Sequence, residues 1–460
     1  MEGRRADRLD DFMERPKRAV WVIAGPLMVG FTVHALYMVV DAIFIGRLGP
    51  EALAASTFIS AFFFTAIALS NGLATGVTAT IAQAVGRRDR DAGDLVASNG
   101  VGIGMGMGVV FAAVGFAAGE DIIPLLGAEG ESARLAWDYL FPLCFGMPLM
   151  FTATGMRSVL SGEGDARTPM VILTIGTLTN LALDPFFMFF LDLGIAGAGY
   201  ATLTAQLVGF LALTYMVLVR KATTARFRLS MMPPRKKVVA GIVSLGIPAS
   251  TVHFVMAAGL ILTNRVIAAF GQKAVAGYGA GSKIDMIAAL PIMGLASAAV
   301  TLVGMFAGAN RADLVRTTAL YTYRWALTAA GAFGVLFYFG AGHFIGVFTE
   351  DPYTLEIGVE YIGWAVFGYP FMAIGMTTGR ILQGLGFGWP TLVITGLRVL
   401  AVGVAASYTA VYLFDAPIES IWISFICGGA AASALSIAWV RKYVWKNDPC
   451  VVATKGSHVG

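Results

Sequence analysis

Apolar residues in this chain come in runs too long for an ordinary soluble fold. A run of about 20 or more is enough to cross a bilayer as a helix. On that reading the sequence predicts twelve spans, near 19–46, 52–85, 95–118, 133–161, 168–191, 194–219, 238–269, 274–307, 314–341, 354–383, 389–413 and 417–440. Several exceed the minimum length, so tilting or protrusion is expected. The polar stretches between them are short, except for RKATTARFRLSMMPPRKK at 220–237. The chain therefore reads as an all-α membrane protein. It has a charged N-terminal arm (1–18), six spans (19–219), a basic linker (220–237), six more spans (238–443) and a polar, fraying tail (444–460).

Composition agrees with the pattern. Hydrophobic residues make up 57% of the chain and charged ones 13%, against about 25% charged in a soluble domain. Most of the exterior must face lipid. The arm MEGRRADRLDDFMERPKR is charged throughout and lacks the apolar core of a signal peptide. Basic residues cluster in short loops, which argues against nucleic-acid binding. Cys144, Cys427 and Cys450 are too few and too scattered for a disulfide framework.

Charge placement sets the expected orientation. Arg4, Arg5, Arg8, Arg15, Lys17 and Arg18 share a side with Arg87, Arg88 and Arg90 and with the linker. Glu120, Asp121, Glu129, Glu131, Glu350 and Asp351 lie on the other. By the positive-inside rule both termini are cytoplasmic.

The linker sits near the midpoint and prompts a search for a repeat. A constant shift of 222 residues pairs Pro26 with Pro248 and Gly49 with Gly271. It also pairs FGMPLM (145–150) with FGYPFM (367–372), and Leu160, Gly162 and Gly164 with Leu382, Gly384 and Gly386. Two six-span lobes of the same orientation follow. Asp41 has no acidic counterpart, falling on Thr263, while Asn180 and Asp184 fall near Ala401 and Ala405. Symmetry builds the scaffold and asymmetry marks the chemistry.

Asp41 lies inside the first span with Tyr37 one turn before it, and its short stem cannot reach water. A carboxylate placed there normally faces a cavity or a partner. The fifth span supplies one, with Asn180 and Asp184 at i, i+4 on one helix face. Pro185 follows and, having no N–H, leaves the Leu181 carbonyl without its helical donor. At about 1.5 Å per residue, Asp41, Asp184 and Thr202 of the sixth span all fall roughly 8–12 Å below the outer ends of their helices. Two carboxylates, an amide, a hydroxyl and a carbonyl make an all-oxygen set. Such a set suits a hard monovalent cation or a proton shared between the acids.

Taken together, PLMVG…LYMVVDAIFIGRLG, GLATGVTATIAQAVG, LSGEGDARTP, TNLALDP and GYGAGSKIDMIAALPIMGL resemble the multidrug and toxin extrusion (MATE) transporters, in particular their DinF-like branch. The similarity covers roughly residues 18–440. It implies two six-helix lobes forming a V around a cavity. It also implies alternating access in which an acid pair in the N-lobe couples cation entry to release of a drug. Residue by residue, the cation site implied is Asp41, Asn180, Asp184 and Thr202, with H+ or Na+ as the coupling ion. Tyr37 and Tyr139 are its aromatic neighbours, and Pro26 is the bend point of the first helix. The resemblance implies no cofactor, a cell-membrane location, a monomer surrounded by lipid, and small amphipathic, often cationic substrates. The acidic site that other branches carry in the C-lobe is not evident in its usual form.

The alternative within the superfamily is a flippase for a lipid or lipid-linked sugar, which would want a cationic cavity where this one reads as acidic. No metal-ligand cluster, nucleophile triad or haem-type His pair supports an enzyme. The repeat and the buried acids favour alternating access over a channel.

Four further residues have two readings each. His34, seven residues before Asp41, either tunes the site or packs. Lys283 and Asp285, in GSKIDM, resemble a charged patch of DinF-like C-lobes; an ion pair with a neighbouring helix is the plain reading. Glu163, at the inner end of the fourth span, is either part of an inner gate or a solvated loop acid. Most of the 31 Phe and 20 Met residues are expected to face lipid. The glycines of GVGIGMGMG (100–108) read as close helix packing.

Overall fold

A computed structural model describes residues 2–456, and they are helical almost throughout. A short helix, α1 (Glu2–Glu14), precedes twelve that are long and apolar enough to cross a membrane. These are α2 (Pro16–Gly46), α3 (Pro50–Gly86), α4 (Arg90–Leu125), α5 (Gly130–Gly162), α6 (Arg167–Phe190) and α7 (Gly194–Val219). They continue with α8 (Lys236–Phe270), α9 (Gln272–Gly308), α10 (Ala312–Gly346), α11 (Pro352–Gly384), α12 (Trp389–Phe414) and α13 (Glu419–Lys446). A last helix, α14 (Pro449–Gly456), occupies much of the expected polar tail, whose final residues 457–460 lie outside the described residues.

The repeat extends to the backbone. Gly49 (φ 115°) and Gly271 (φ 101°) open the turns into α3 and α9, and Arg88 (56°) and Asn310 (59°) turn the chain into α4 and α10. These left-handed residues are 222 positions apart, so the repeated turns share one backbone path. The cap residues recur less strictly. Asp89 accepts from the Ala92 amide at 3.0 Å, and Asp351 accepts from the Thr354 amide at 2.9 Å.

The chain divides into two compact units. Among the described residues, the first comprises residues 2–11 and Gly25–Gly246; the second comprises Phe12–Ala24 and residues 247–456. Besides the break within α1, the chain passes between units inside two spans, one or two residues before Pro26 in α2 and one before Pro248 in α8. Within the first unit, α5 packs against α3, α4 and α7; within the second, its repeat partner α11 packs against α9, α10 and α13. The central helices approach closely because glycine lets them. A Cβ at Gly162 would lie 2.8 Å from the Thr78 carbonyl oxygen, and one at Gly384 would lie 2.8 Å from that of Val300. This is one contact made twice. The packing read for 100–108 is also present: Gly104 and Gly108 of α4 sit against Phe151 and Pro148 of α5.

The linker is held down along its length. Its Arg226 and Arg228 amides donate to Asp94 (2.8 Å) and Ser98 (3.1 Å) of α4. Asn99 accepts from the Arg235 amide at 2.8 Å and donates to the Met231 carbonyl at 2.7 Å. Glu163 accepts from the Thr224 hydroxyl (2.7 Å), the Ala225 amide (3.0 Å) and the Thr224 amide (3.1 Å). Asp94, Ser98, Asn99 and Glu163 are all buried, so the reading of Glu163 as a solvated loop acid does not hold. Linker amides that would otherwise need water end on side chains of α4 and the end of α5.

Candidate functional site

The site begins on α6. Asn180 and Asp184 stand one turn apart and are 3% and 0% exposed. Asn180 Nδ2 donates to Asp184 Oδ1 at 3.1 Å and to Thr202 Oγ1 of α7 at 3.3 Å. Pro185 cannot donate to the ladder, and the helix continues through a wider π-helical turn, Phe186–Phe190. That irregularity comes directly after Asp184.

Two oxygens here, Asn180 Oδ1 and Asp184 Oδ2, are buried with no hydrogen-bond partner among the described residues. A buried acceptor left unmade costs about 1–3 kcal/mol, and more when charged. A site with two of them on adjacent groups favours a hard cation or a proton. Tyr37 and Asp41, one turn apart on α2, complete the cluster. Tyr37 is within hydrogen-bonding reach of Thr202 and feels the charges of Asp41 and Asp184. Asp41 acts on Asp184, and both act on Tyr139 of α5. Six sequence-predicted residues from four helices of the first unit thus share one neighbourhood.

The other candidates lie elsewhere. Pro26 stands inside α2, about four turns before Asp41. His34 places its ring 6.0 Å from that of Tyr37 and has Arg157 of α5 as its charged neighbour. Glu163 serves the linker. Lys283 and Asp285 belong to the second unit. Lys283 Nζ lies 5.1 Å from the Phe348 ring centroid, a cation–π contact in place of the expected ion pair. Asp285 accepts hydrogen bonds from the hydroxyls of Tyr361 and, at 2.8 Å, Tyr369, both on α11. Sequence reasoning missed Arg157, Tyr361 and Tyr369. An arginine inside the apolar run GMRSVL was a visible signal; the tyrosines, 76 and 84 residues from Asp285, left none.

A twelve-span helical bundle built on a repeat, with acids and amides buried in one unit, has the architecture of a transporter rather than an enzyme. Comparison with known proteins makes this specific. The MatE family model matches residues 26–186 and again 248–409, the two matches beginning 222 residues apart. The chain is 25% identical over 445 residues to a Thermotoga maritima protein described as "Probable multidrug resistance protein NorM", covering 95% of each. It superposes on the outward-facing conformation of a multidrug resistance MATE family transporter of the MOP superfamily with a TM-score of 0.89, at 27% identity, covering 96% of this chain and 97% of that one. A MOP superfamily transporter from Pyrococcus furiosus, for which a reversed polarity of the binding pocket suggests a different function, gives a TM-score of 0.88 at 28% identity, covering 93% and 96%. The chain belongs to the MatE family and is a multi-pass membrane transport protein.

Proposed function

We propose that this protein is a cation-coupled exporter of small amphipathic, often cationic compounds, with H+ or Na+ as the coupling ion. The observation that carries the reading is the pair of unpartnered buried oxygens on Asn180 and Asp184, with Asp41 acting on Asp184 from another helix. A cation entering there is held by Asp41, Asn180, Asp184 and Thr202, and it screens the repulsion between the two acids. Relief of that repulsion lets α2 move toward α6. Pro26 lacks the N–H that would tie it to the preceding turn, so α2 bends there at low cost. The movement shrinks the interior of the first unit and expels its cargo, and loss of the cation on the other side resets it. Alternating exposure of one site is the transport cycle.

The basic residues of the linker and arm support cytoplasmic termini in a cell membrane, and the motifs quoted above support the DinF-like branch. Relatives that are multidrug resistance proteins support drug-like cargo. The decisive experiment is efflux from proteoliposomes under an imposed proton gradient and then a sodium gradient, with Asp41→Asn beside the wild type. Asp41→Asn should fold normally and lose gradient-driven efflux. Full efflux by that variant would remove the coupling role.

A further inference from the structure

Two turns below Asp41, the first unit holds a positive charge that no acid among its described residues balances. Arg157 of α5 donates from Nη2 to the Thr154 hydroxyl at 3.0 Å, and Thr154 accepts in turn from Ser70 of α3 at 3.0 Å. Ser70 and Thr154 are buried. None of the ion pairs among the described residues includes Arg157, and no acid acts on it. A guanidinium has five N–H donors, and here one is engaged. Its charged neighbour on α2 is His34, a second group able only to add positive charge. His34, Tyr37 and Asp41 recur at helical spacing, so the face that carries the acid at one end leads to this cation at the other.

An arginine inside a span normally pairs with a counter-charge, because leaving it unpaired in a low dielectric is expensive. Its planar fork matches a carboxylate or a phosphate better than any other anion the cell offers in quantity. The second unit repeats the pairing within a turn of the equivalent positions. Arg380 of α11 acts on His253 of α8 and donates to Gln383 Oε1 at 3.3 Å. The same two helices of each repeat thus bring an arginine to a histidine.

We propose that Arg157, with Thr154 and His34 beside it, is an anion subsite of the first unit that takes the carboxylate or phosphate of an amphiphilic molecule. With the acids above it, the interior of this unit then offers both signs of charge to one cargo. The proposal rests on the reading that the first unit receives cargo.

Two dyes test it: a rhodamine bearing a free carboxylate, and its ethyl ester, which keeps the cationic chromophore and loses the anion. Binding to lipid-stripped full-length protein in detergent is followed by fluorescence anisotropy. The wild type should bind the acid at least about tenfold more tightly than the ester. Arg157→Gln should abolish that preference without changing ester binding, and Arg157→Lys should keep part of it, as charge without the fork. Native mass spectrometry with added phosphatidylglycerol separates the two sources of anion. If the subsite also accepts lipid headgroups, the lipid competes with the acid dye and its adducts fall in Arg157→Gln. If it takes only solutes, adducts are the same in both proteins while the dye preference still depends on Arg157. Equal affinity of the wild type for both dyes overturns the proposal even if the variants fail to fold, and so does an unchanged preference in folded Arg157→Gln. Binding of neither dye overturns the cargo reading, and the subsite with it.

Discussion

Removing the Glu163 carboxylate should release the linker and leave the spans alone. The Thr224 hydroxyl, the Thr224 amide and the Ala225 amide all end on that side chain. Thr224 is partly exposed, so water can take over its two groups once the acid is gone. Ala225 is only 6% exposed, and its amide would stay buried without an acceptor. One orphaned buried donor costs about 1–3 kcal/mol, and losing charge assistance on the other two adds roughly 1 kcal/mol. Glu163→Ala should therefore destabilise the docked linker by about 3 kcal/mol, or roughly 100-fold in its opening equilibrium. In Glu163→Gln the amide oxygen can still serve two donors while the new NH2 faces the Thr224 amide, so about tenfold is expected. Hydrogen exchange of peptides spanning 223–235, read by mass spectrometry, measures the opening directly. Trypsin cleavage after Arg226 and Arg228 should accelerate in the same order. Exchange in Glu163→Ala equal to wild type would mean that α4 alone holds the linker and would refute the reasoning.

Two further outcomes follow from contacts described above. Asp351, which caps α11, is held down to about 2, first by the Lys273 ammonium 2.7 Å away and then by Thr354. A folded value below the ordinary carboxylate range of about 3.9 means that its stabilising effect is complete above that range and is lost as pH falls through about 2. Lys273→Ala should move the loss to higher pH, seen as earlier fraying of the Thr354 amide in exchange measurements from pH 5 down to 2, corrected for intrinsic rates. Gly162→Ala and Gly384→Ala should each cost about 1–3 kcal/mol, the first by forcing α5 from α3 and the second by forcing α11 from α9. Gly331→Ala, at a position with nothing within 4 Å, should not. If all three melt alike in detergent, the close contacts at Gly162 and Gly384 are not what sets the helix spacing.

Much of this architecture was legible because it depends on properties local to a segment. Twelve apolar runs predict twelve helices, and a fixed shift between Pro26 and Pro248 or Gly49 and Gly271 predicts a duplicated scaffold. The Asn180–Asp184 pair was visible because i, i+4 fixes a common face, and counting residues to the helix ends put Thr202 at a matching depth. What stayed hidden depends on how helices rotate against one another. Nothing in GMRSVL says which way Arg157 points, so its meeting with His34 had to come from coordinates. Glu163 looked like a loop acid because the burial of a helix end is decided by what covers it, here the linker itself. Lys283 and Asp285 suggested an ion pair with a neighbouring helix, yet both oxygens of Asp285 are taken by phenols of a helix more than 70 residues on.

The place where the units divide within α2 and α8 has a consequence for anyone who would cut the gene in two. A break in the linker region hands over two incomplete products. The N-terminal fragment would lack the opening turns of α8, whose Ile242 carbonyl fills the notch at Gly76 and whose Gly246 lies against the Gly72 backbone. The C-terminal fragment would lack Trp21, whose indole donates to the Tyr321 hydroxyl at 3.1 Å and stands edge-on to Trp325. Each duplicate has come to keep a piece of its sibling, so what began as a tandem copy is now a single indivisible chain.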